Sequence, residues 1–293
     1  MRVFNSFCFF ICLYSLTGQN ANPSFMVYDR GQSDVRFFTN TYLEKPEIGP
    51  DYLFHTLFAD VMAGTSGRVN VGLRMRYRTV LRGEGLGPAD AWTFQNKDLD
   101  SVGNYKRHGL AGAEILIRHK LLGSLNGLSM QHSLGVPAGN QLQQHLNKGF
   151  LDWDGLTWHS QLFLNYIAGK FQLFSDLGIR FENIHRRILD KNKPAYFTIS
   201  YPCSVLPGIL PNPRHYFYAL IQLIPGHSFQ RNGSDRSLSP DFNFQHQWGM
   251  GYKFFFGKRW ELEAIGSLFN PDADNRAYTL NLGIRHYWGR VLY

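Results

Sequence analysis

Val69-Asn70-Val71-Gly72-Leu73-Arg74-Met75-Arg76-Tyr77-Arg78-Thr79-Val80-Leu81 decides how the chain folds. Val69, Val71, Leu73, Met75, Tyr77, Thr79 and Leu81 form one set, and Asn70, Gly72, Arg74, Arg76 and Arg78 form the other. A strand sends alternate side chains to opposite faces. One face here is therefore apolar and the other carries three arginines. Two homes suit such a strand: a soluble sheet with its basic face in water, or a transmembrane barrel with its basic face toward a watery lumen.

Composition separates the two. Phe, Tyr and Trp make up 15% of the 293 residues, more than a soluble core needs, yet the mean hydropathy is slightly negative. A helical membrane protein would raise that mean, whereas a barrel needs an apolar residue only at every second strand position. The formal charge of +8 raises nucleic acid as a partner. The basic residues are spread through alternating strands rather than gathered in a run or on a basic helix, so no nucleic-acid partner is expected.

Arg2, the apolar run 3–16 and the small, polar exit Thr17-Gly18-Gln19-Asn20-Ala21 read as a secretory signal peptide over 1–18, with cleavage as late as 21. The run is too short to cross a bilayer as a helix, which takes about 20 residues. Cys8 and Cys12 lie inside it, so Cys203 alone is expected in the mature chain, with no intramolecular disulfide. Residues 19–33 read as a periplasmic lead-in and 34–293 as one barrel domain. No later apolar run is long enough for a helical span, and a closed barrel is then the way to embed this chain.

Twelve strands are expected, over 34–42, 52–63, 69–81, 108–121, 127–137, 156–168, 171–183, 195–205, 215–223, 242–256, 260–269 and 277–289. The eighth is the weakest, because Pro202 interrupts it. Gln172, Asp176, Arg180 and Glu182 oppose Phe171, Leu173, Leu177, Ile179 and Phe181. Asn243, Gln245, Gln247, Gly249 and Lys253 oppose Phe242, Phe244, Trp248, Met250, Tyr252 and Phe254. Thr279, Asn281, Gly283 and Arg285 oppose Tyr278, Leu280, Leu282, Ile284 and Trp288. Short connections at 64–68, 122–126, 169–170, 206–213 and 257–259 alternate with longer ones at 43–51, 82–107, 138–155, 184–194 and 225–241. The short connection 270–276 is the exception. Short periplasmic turns and long external loops on an even strand number are the pattern of an up-and-down antiparallel outer-membrane barrel. Tyr166, Phe171, Phe254, Phe256, Trp260 and Trp288 fall at periplasmic strand ends, where an aromatic girdle belongs.

The run Asp29-Arg30-Gly31-Gln32-Ser33-Asp34-Val35-Arg36, with Val71-Gly72-Leu73-Arg74, resembles uncharacterised Gram-negative outer-membrane barrels of porin- or transporter-like type. So does the closing pair, Gly249-Met-Gly-Tyr-Lys-Phe-Phe-Phe-Gly-Lys-Arg-Trp-Glu-Leu-Glu263 and Tyr278-Thr-Leu-Asn-Leu-Gly-Ile-Arg-His-Tyr-Trp288. The resemblance implies fold and an outer-membrane location; it implies no substrate and no functional residue.

The candidate functional residues come from the inner face of the strands. Arg36, Arg74, Arg76, Arg78, Arg118, Arg180, Lys253 and Arg285 are expected to line the lumen opposite Asp60, Glu114, Asp176, Glu182, Glu261 and Glu263. Opposed rings of charge select ions and polar solutes in a pore. The same residues can also fill a closed barrel, since side chains pack the interior at about eight strands and twelve lies between filled and open. Two readings follow: a porin-like channel for small polar or anionic solutes, and a non-conducting structural or adhesive barrel. A lipid-modifying barrel hydrolase is the other alternative; it would draw on His132, Ser133, His159, Ser160, His246 or His286 with Asn165 or Asn243. No G-x-S-x-G motif occurs, and no catalytic residue is assigned. No cofactor and no metal are expected: the histidines lack ligand spacing, and 270–275 has neither the glycine nor the glutamate of a calcium loop. Gly83, Gly85 and Gly87 follow no βαβ pattern and read as a flexible external loop. The expected partners are outer-membrane lipid and a small polar or anionic solute.

Overall fold

In a computed structural model, the described residues are 27–47, 49–92, 98–99, 104–121, 127–138, 155–182, 196–231, 238–270 and 275–289. The signal segment, its cleavage site and most of the candidate calcium turn lie outside them. The strands are β1 (Ser33–Pro46), β2 (Asp51–Ser66), β3 (Val69–Gly83), β4 (Asp98–Leu99), β5 (Asn104–Lys120), β6 (Leu128–Pro137) and β7 (Thr157–Ala168). They continue as β8 (Phe171–Glu182), β9 (Tyr196–Ser200), β10 (Cys203–Asn212), β11 (His215–Arg231), β12 (Leu238–Phe256), β13 (Trp260–Phe269) and β14 (Asn275–Trp288). All neighbours are antiparallel. β14 pairs with β1 from Ser33↔Trp288 to Pro46↔Asn275, which closes the sheet and leaves no edge.

The two-residue β4 pairs only with β5. β9 and β10 form one stave: β8 pairs Arg180 with Ser200 and Leu177 with Cys203 in the same register, and Gly178 N donates to Pro202 O between them. Pro202 has no N–H, so the ladder is interrupted there without a shift. The barrel therefore has twelve staves, in agreement with the alternation of the sequence.

Two expected connections are strand instead. The segment 206–213, read as a turn from its prolines and glycine, continues β10 to Asn212. Its ladder to β8 runs through Leu206↔Phe174 and Pro207↔Leu173, while the ladder to β11 skips those two residues, so the missing proline N–H falls where no bond is made. The segment 225–241, expected as a long loop, is mostly the extended hairpin of β11 and β12 out to Arg231↔Leu238. Pro225 lies opposite Tyr201, beside the existing break, and its carbonyl accepts from Tyr201 N.

The alternation of β3 survives in three dimensions. Val71, Leu73 and Met75 are exposed on the outer wall, and Asn70 and Arg76 are buried. The same exposed rows continue around the wall through Phe37, Val61, Ile115, Trp248, Met250 and Leu282. Burying such rows against hydrocarbon rather than water is what stabilises a barrel of this kind. Part of the expected flexible loop 82–107 is ordered. Its 3-10 turn Pro88–Trp92 lies on the outer wall, where Ala91 and Leu86 pack on Leu43, Leu53 and Leu81. Trp92 meets His55 there at 4.6 Å between ring centroids.

Candidate functional site

The inner face gathers its charges in two networks near the turn end of the barrel. Arg36, Asp60, Arg74, Glu114 and Arg76 sit at matched register on β1, β2, β3 and β5, through Arg36↔Asp60↔Arg74↔Glu114. Matching even-numbered positions on neighbouring strands puts all four on one level of the inner wall. Asp60 accepts from Arg36 at 2.7 Å and from Arg74 at 2.8 and 2.9 Å. Glu114 lies 3.4 Å from both Arg74 and Arg76. The guanidinium of Arg36 stacks 4.2 Å from the Phe38 ring, and Phe38 lies parallel to Phe58 at 4.3 Å. Three arginines face two carboxylates, and the side chains of Arg36 and Arg74 remain 23% and 20% exposed.

The second network runs Asp34–Arg285–Glu261–Lys253–Glu263 on β1, β14, β13 and β12. Arg285 Nε is 3.0 Å from Asp34, and Lys253 Nζ is 2.9 Å from Glu261 and 3.0 Å from Glu263. Each carboxylate also accepts from a phenol: Asp34 from Tyr28 at 2.8 Å, Glu261 from Tyr287 at 2.5 Å and Glu263 from Tyr218 at 2.7 Å. The Lys253, Glu261 and Arg285 side chains are at most 5% exposed.

Tyr28 belongs to the lead-in, before β1, and enters the lumen from the turn end. Its ring packs with Met62, Leu116 and Tyr287 from three separate strands, contacts possible only inside the barrel. Its backbone N donates to Asn70 Oδ1 at 2.9 Å. Gly64 makes room for this entry, because a Cβ there would strike the Asp29 carbonyl. Burial, reinforced by the Asp34 carboxylate, raises the Tyr28 phenol well above the ordinary tyrosine range, so it stays a hydrogen-bond donor. Between Tyr28's neighbours and the first network, a cavity of about 20 Å³ remains among Asp34, Arg36, Asp60, Arg74, Arg118 and Arg285. That is room for about one water.

The remaining inner-face candidates lie around these networks, with Arg118 beside them at the small cavity. Arg78 Nε donates to Thr56 at 2.9 Å, toward the loop end. Arg118 donates to Gln131 at 2.6 and 3.1 Å and lies over Phe163. Arg180 pairs with Glu182 at 2.5 Å, and Asp176 lies beside Ser204 in the β8–β10 ladder. Beside the second network, on β10 to β13, the filling is aromatic: Tyr216, Tyr218 and Phe255 pack with Leu206, Leu210 and Ile265. Tyr218 lies flat over Gly251, which has no side chain to displace it. Phe163 and Phe174 add a further buried pair, 5.9 Å apart. Sequence reading missed these inner aromatics. The signal was present, since Phe174, Phe255 and Tyr287 share the strand parity of Asp176, Lys253 and Arg285.

On the outer wall, Phe254 stacks on Phe256 and Phe256 on Trp260, and His286 lies 4.4 Å from both Trp260 and Trp288. Tyr166 is half-buried and Phe171 exposed at their own turn-end positions. The hydrolase candidates are split by face: His132 pairs with Ser160 on the outer wall, and Ser133 with His159 on the inner wall. His159 Nε2 is buried without a hydrogen-bond partner and lies over Gly178, away from Ser133. Among the described residues, no cluster of three or more His, Cys, Asp or Glu side chains is placed to hold a metal ion.

No family model matches the chain, and no curated protein matches it. Its fold does recur in solved structures. An outer-membrane channel from Pseudomonas putida F1 is similar over 92% of this chain and all of its own, at 11% identity and a TM-score of 0.60. The β domain of the Bordetella autotransporter BrkA covers 89% of this chain and all of its own, at 12% identity and a TM-score of 0.53. At such identities the likeness is one of fold: the chain has the architecture of the Gram-negative outer-membrane β-barrels.

Proposed function

We propose that the barrel sits in the outer membrane of a Gram-negative bacterium and passes small polar or anionic solutes through a narrow, gated lumen. The observation that carries this reading is the first charge network. It holds three arginines against two carboxylates, the side chains of Arg36 and Arg74 stay about one-fifth exposed, and the space beside them is only about 20 Å³. Toward the loop end the inner wall turns to hydroxyl and amide groups, with Gln247 bonded to Ser267 and Thr279, and Gln222 to Ser204. A polar solute entering from the loops meets a hydrated wall first and fixed guanidinium groups next. Those groups replace part of its hydration, as selectivity filters do. The Pseudomonas putida channel shows that a barrel of this architecture serves as a channel, which supports the reading.

On this reading the side chains around the space of about 20 Å³ at Arg36, Asp60 and Arg74, with Tyr28 packed nearby from the turn end, bar passage at rest. Passage therefore requires Tyr28 and the side chains around it to move. Single-channel recording in a planar bilayer tests this. Wild-type protein is expected to give brief, low-conductance openings with anion preference. Tyr28→Ala is expected to lengthen them, and Arg74→Ala/Arg76→Ala to shift the preference toward cations. Silence from both the wild type and Tyr28→Ala, with folded barrel confirmed by heat-modifiable gel mobility, would overturn the proposal.

A further inference from the structure

The outer wall has a large apolar depression. A groove of about 1050 Å³ runs from His215 of β11 across β12, β13, β14, β1, β2 and β3 to Leu110 of β5, with Phe37, Phe254, Leu262, Ala264 and Ile284 in its lining. Its lining is nearly all carbon, and small residues such as Ala264 and Ala59 form its floor. At the turn end it meets a second depression of about 700 Å³, formed by Asn212, Pro213, Arg214, Gly257 and Lys258. His215 lines both, so the two lie on either side of one side chain.

The second depression is basic. Arg214 and Lys258 are exposed and, among the described residues, neither enters an ion pair. Both are held by their turns: Arg214 N donates to Asn212 Oδ1, and its carbonyl accepts from Phe255 N. Lys258 is kept at φ 62°, a left-handed conformation that non-glycine residues rarely adopt. Two exposed cations on backbone-anchored turns thus stand next to the His215 end of an apolar groove on the outer wall.

We infer that this is a binding site for an anionic phospholipid of the periplasmic leaflet. The phosphodiester accepts hydrogen bonds from the Arg214 guanidinium and the Lys258 ammonium, and an acyl chain lies in the groove past His215 and Phe254 toward Ala264. Charge complementarity selects the headgroup, since a zwitterionic lipid would bring an ammonium of its own toward two cations. Position selects the leaflet, since the cations are on the turn side. The inference rests on the outer-membrane placement proposed above but not on conduction, so a silent barrel would leave it standing.

Native mass spectrometry of the purified full chain, released from micelles carrying equal phosphatidylglycerol, phosphatidylethanolamine and phosphatidylcholine, tests it. The wild type is expected to retain phosphatidylglycerol over the other two by roughly tenfold, the scale of two basic side chains at a lipid surface. Arg214→Gln/Lys258→Gln should abolish that preference, and Ala264→Phe, which fills the floor, should reduce retention of phosphatidylglycerol itself. Heat-modifiable mobility confirms that each variant is folded. Equal retention of the three lipids by the wild type, an undiminished preference in the double variant, or full retention by Ala264→Phe would each overturn it.

Discussion

The two charge networks lie side by side in one lumen, share strand β1 and are built from the same residue types, yet their surroundings differ. The Arg36–Asp60–Arg74–Glu114–Arg76 network has one more cation than carboxylates and keeps two guanidinium groups about one-fifth exposed. The Asp34–Arg285–Glu261–Lys253–Glu263 network has one more carboxylate than cations, buries both its cations with Asp34 and Glu261 while Glu263 stays one-fifth exposed, and gives each carboxylate a phenol donor. A buried ion pair is stable only when its remaining lone pairs are also satisfied. The tyrosines meet that condition in the second network. In the first, no phenol is described at either carboxylate, and Arg36 and Arg74 are partly exposed instead; on the proposed function that is where a solute would meet positive charge. The difference separates a network that holds the wall together from one suited to selection.

Removing one partner from each network tests that separation with the largest expected effect. Glu261→Ala leaves Lys253 to Glu263 and Arg285 to Asp34, but removes the carboxylate between two buried cations and the acceptor of the Tyr287 hydroxyl, and should cost ~3 kcal/mol. Glu114→Ala leaves Arg74 still bonded to Asp60 in a wetter site and should cost no more than ~1 kcal/mol. Urea unfolding of protein refolded into micelles, followed by tryptophan fluorescence and heat-modifiable mobility, measures both. Equal losses would erase the distinction between the networks.

The first network was legible in the sequence and the second only in part, for a physical reason. Strand alternation is strict, so Arg36, Asp60, Arg74, Glu114 and Lys253 declare their face by parity alone. The same rule applied to Phe255, Phe174 and Tyr287 places them inside, but aromatic residues suggest the lipid face, and composition masked position. Tyr28 left no pattern to read, because it precedes the first strand and its placement is fixed by contacts with β2, β5 and β14. The prolines misled in the other direction. Pro207 and Pro225 read locally as turns, whereas each sits where a neighbouring ladder already lacks a bond, and tertiary pairing carried the strand through.

An intermediate effect is expected from the phenol donors. Tyr287→Phe keeps the ring and removes only the hydroxyl that bonds Glu261, the shared carboxylate of Lys253 and Arg285. A hydrogen bond to a charged group contributes ~1.5–3 kcal/mol, and its loss should appear as a lowered urea midpoint with unchanged slope. Tyr218→Phe should behave alike through Glu263. A loss under ~0.5 kcal/mol from both would mean that water, not tyrosine, completes the second network, and the two networks would then be alike.

The smallest effect on stability belongs to Arg78, the third arginine of the stretch that decided the fold. It faces the lumen one step above the first network, half-buried, and its Nε donates to the Thr56 hydroxyl. Arg78→Gln should change stability by less than ~0.5 kcal/mol, since water can serve a neutral hydroxyl in its place on a half-buried wall. If the surplus charge of the arginine stripe attracts anions, the substitution must nonetheless act on conduction. It should lower anion preference in planar bilayers, more at low salt than at high, because screening already removes part of the attraction at high ionic strength. A variant that keeps its stability and its full preference would confine selection to Arg36, Arg74 and Arg76. One that loses both would place Arg78 with the structural network, against its position on the wall.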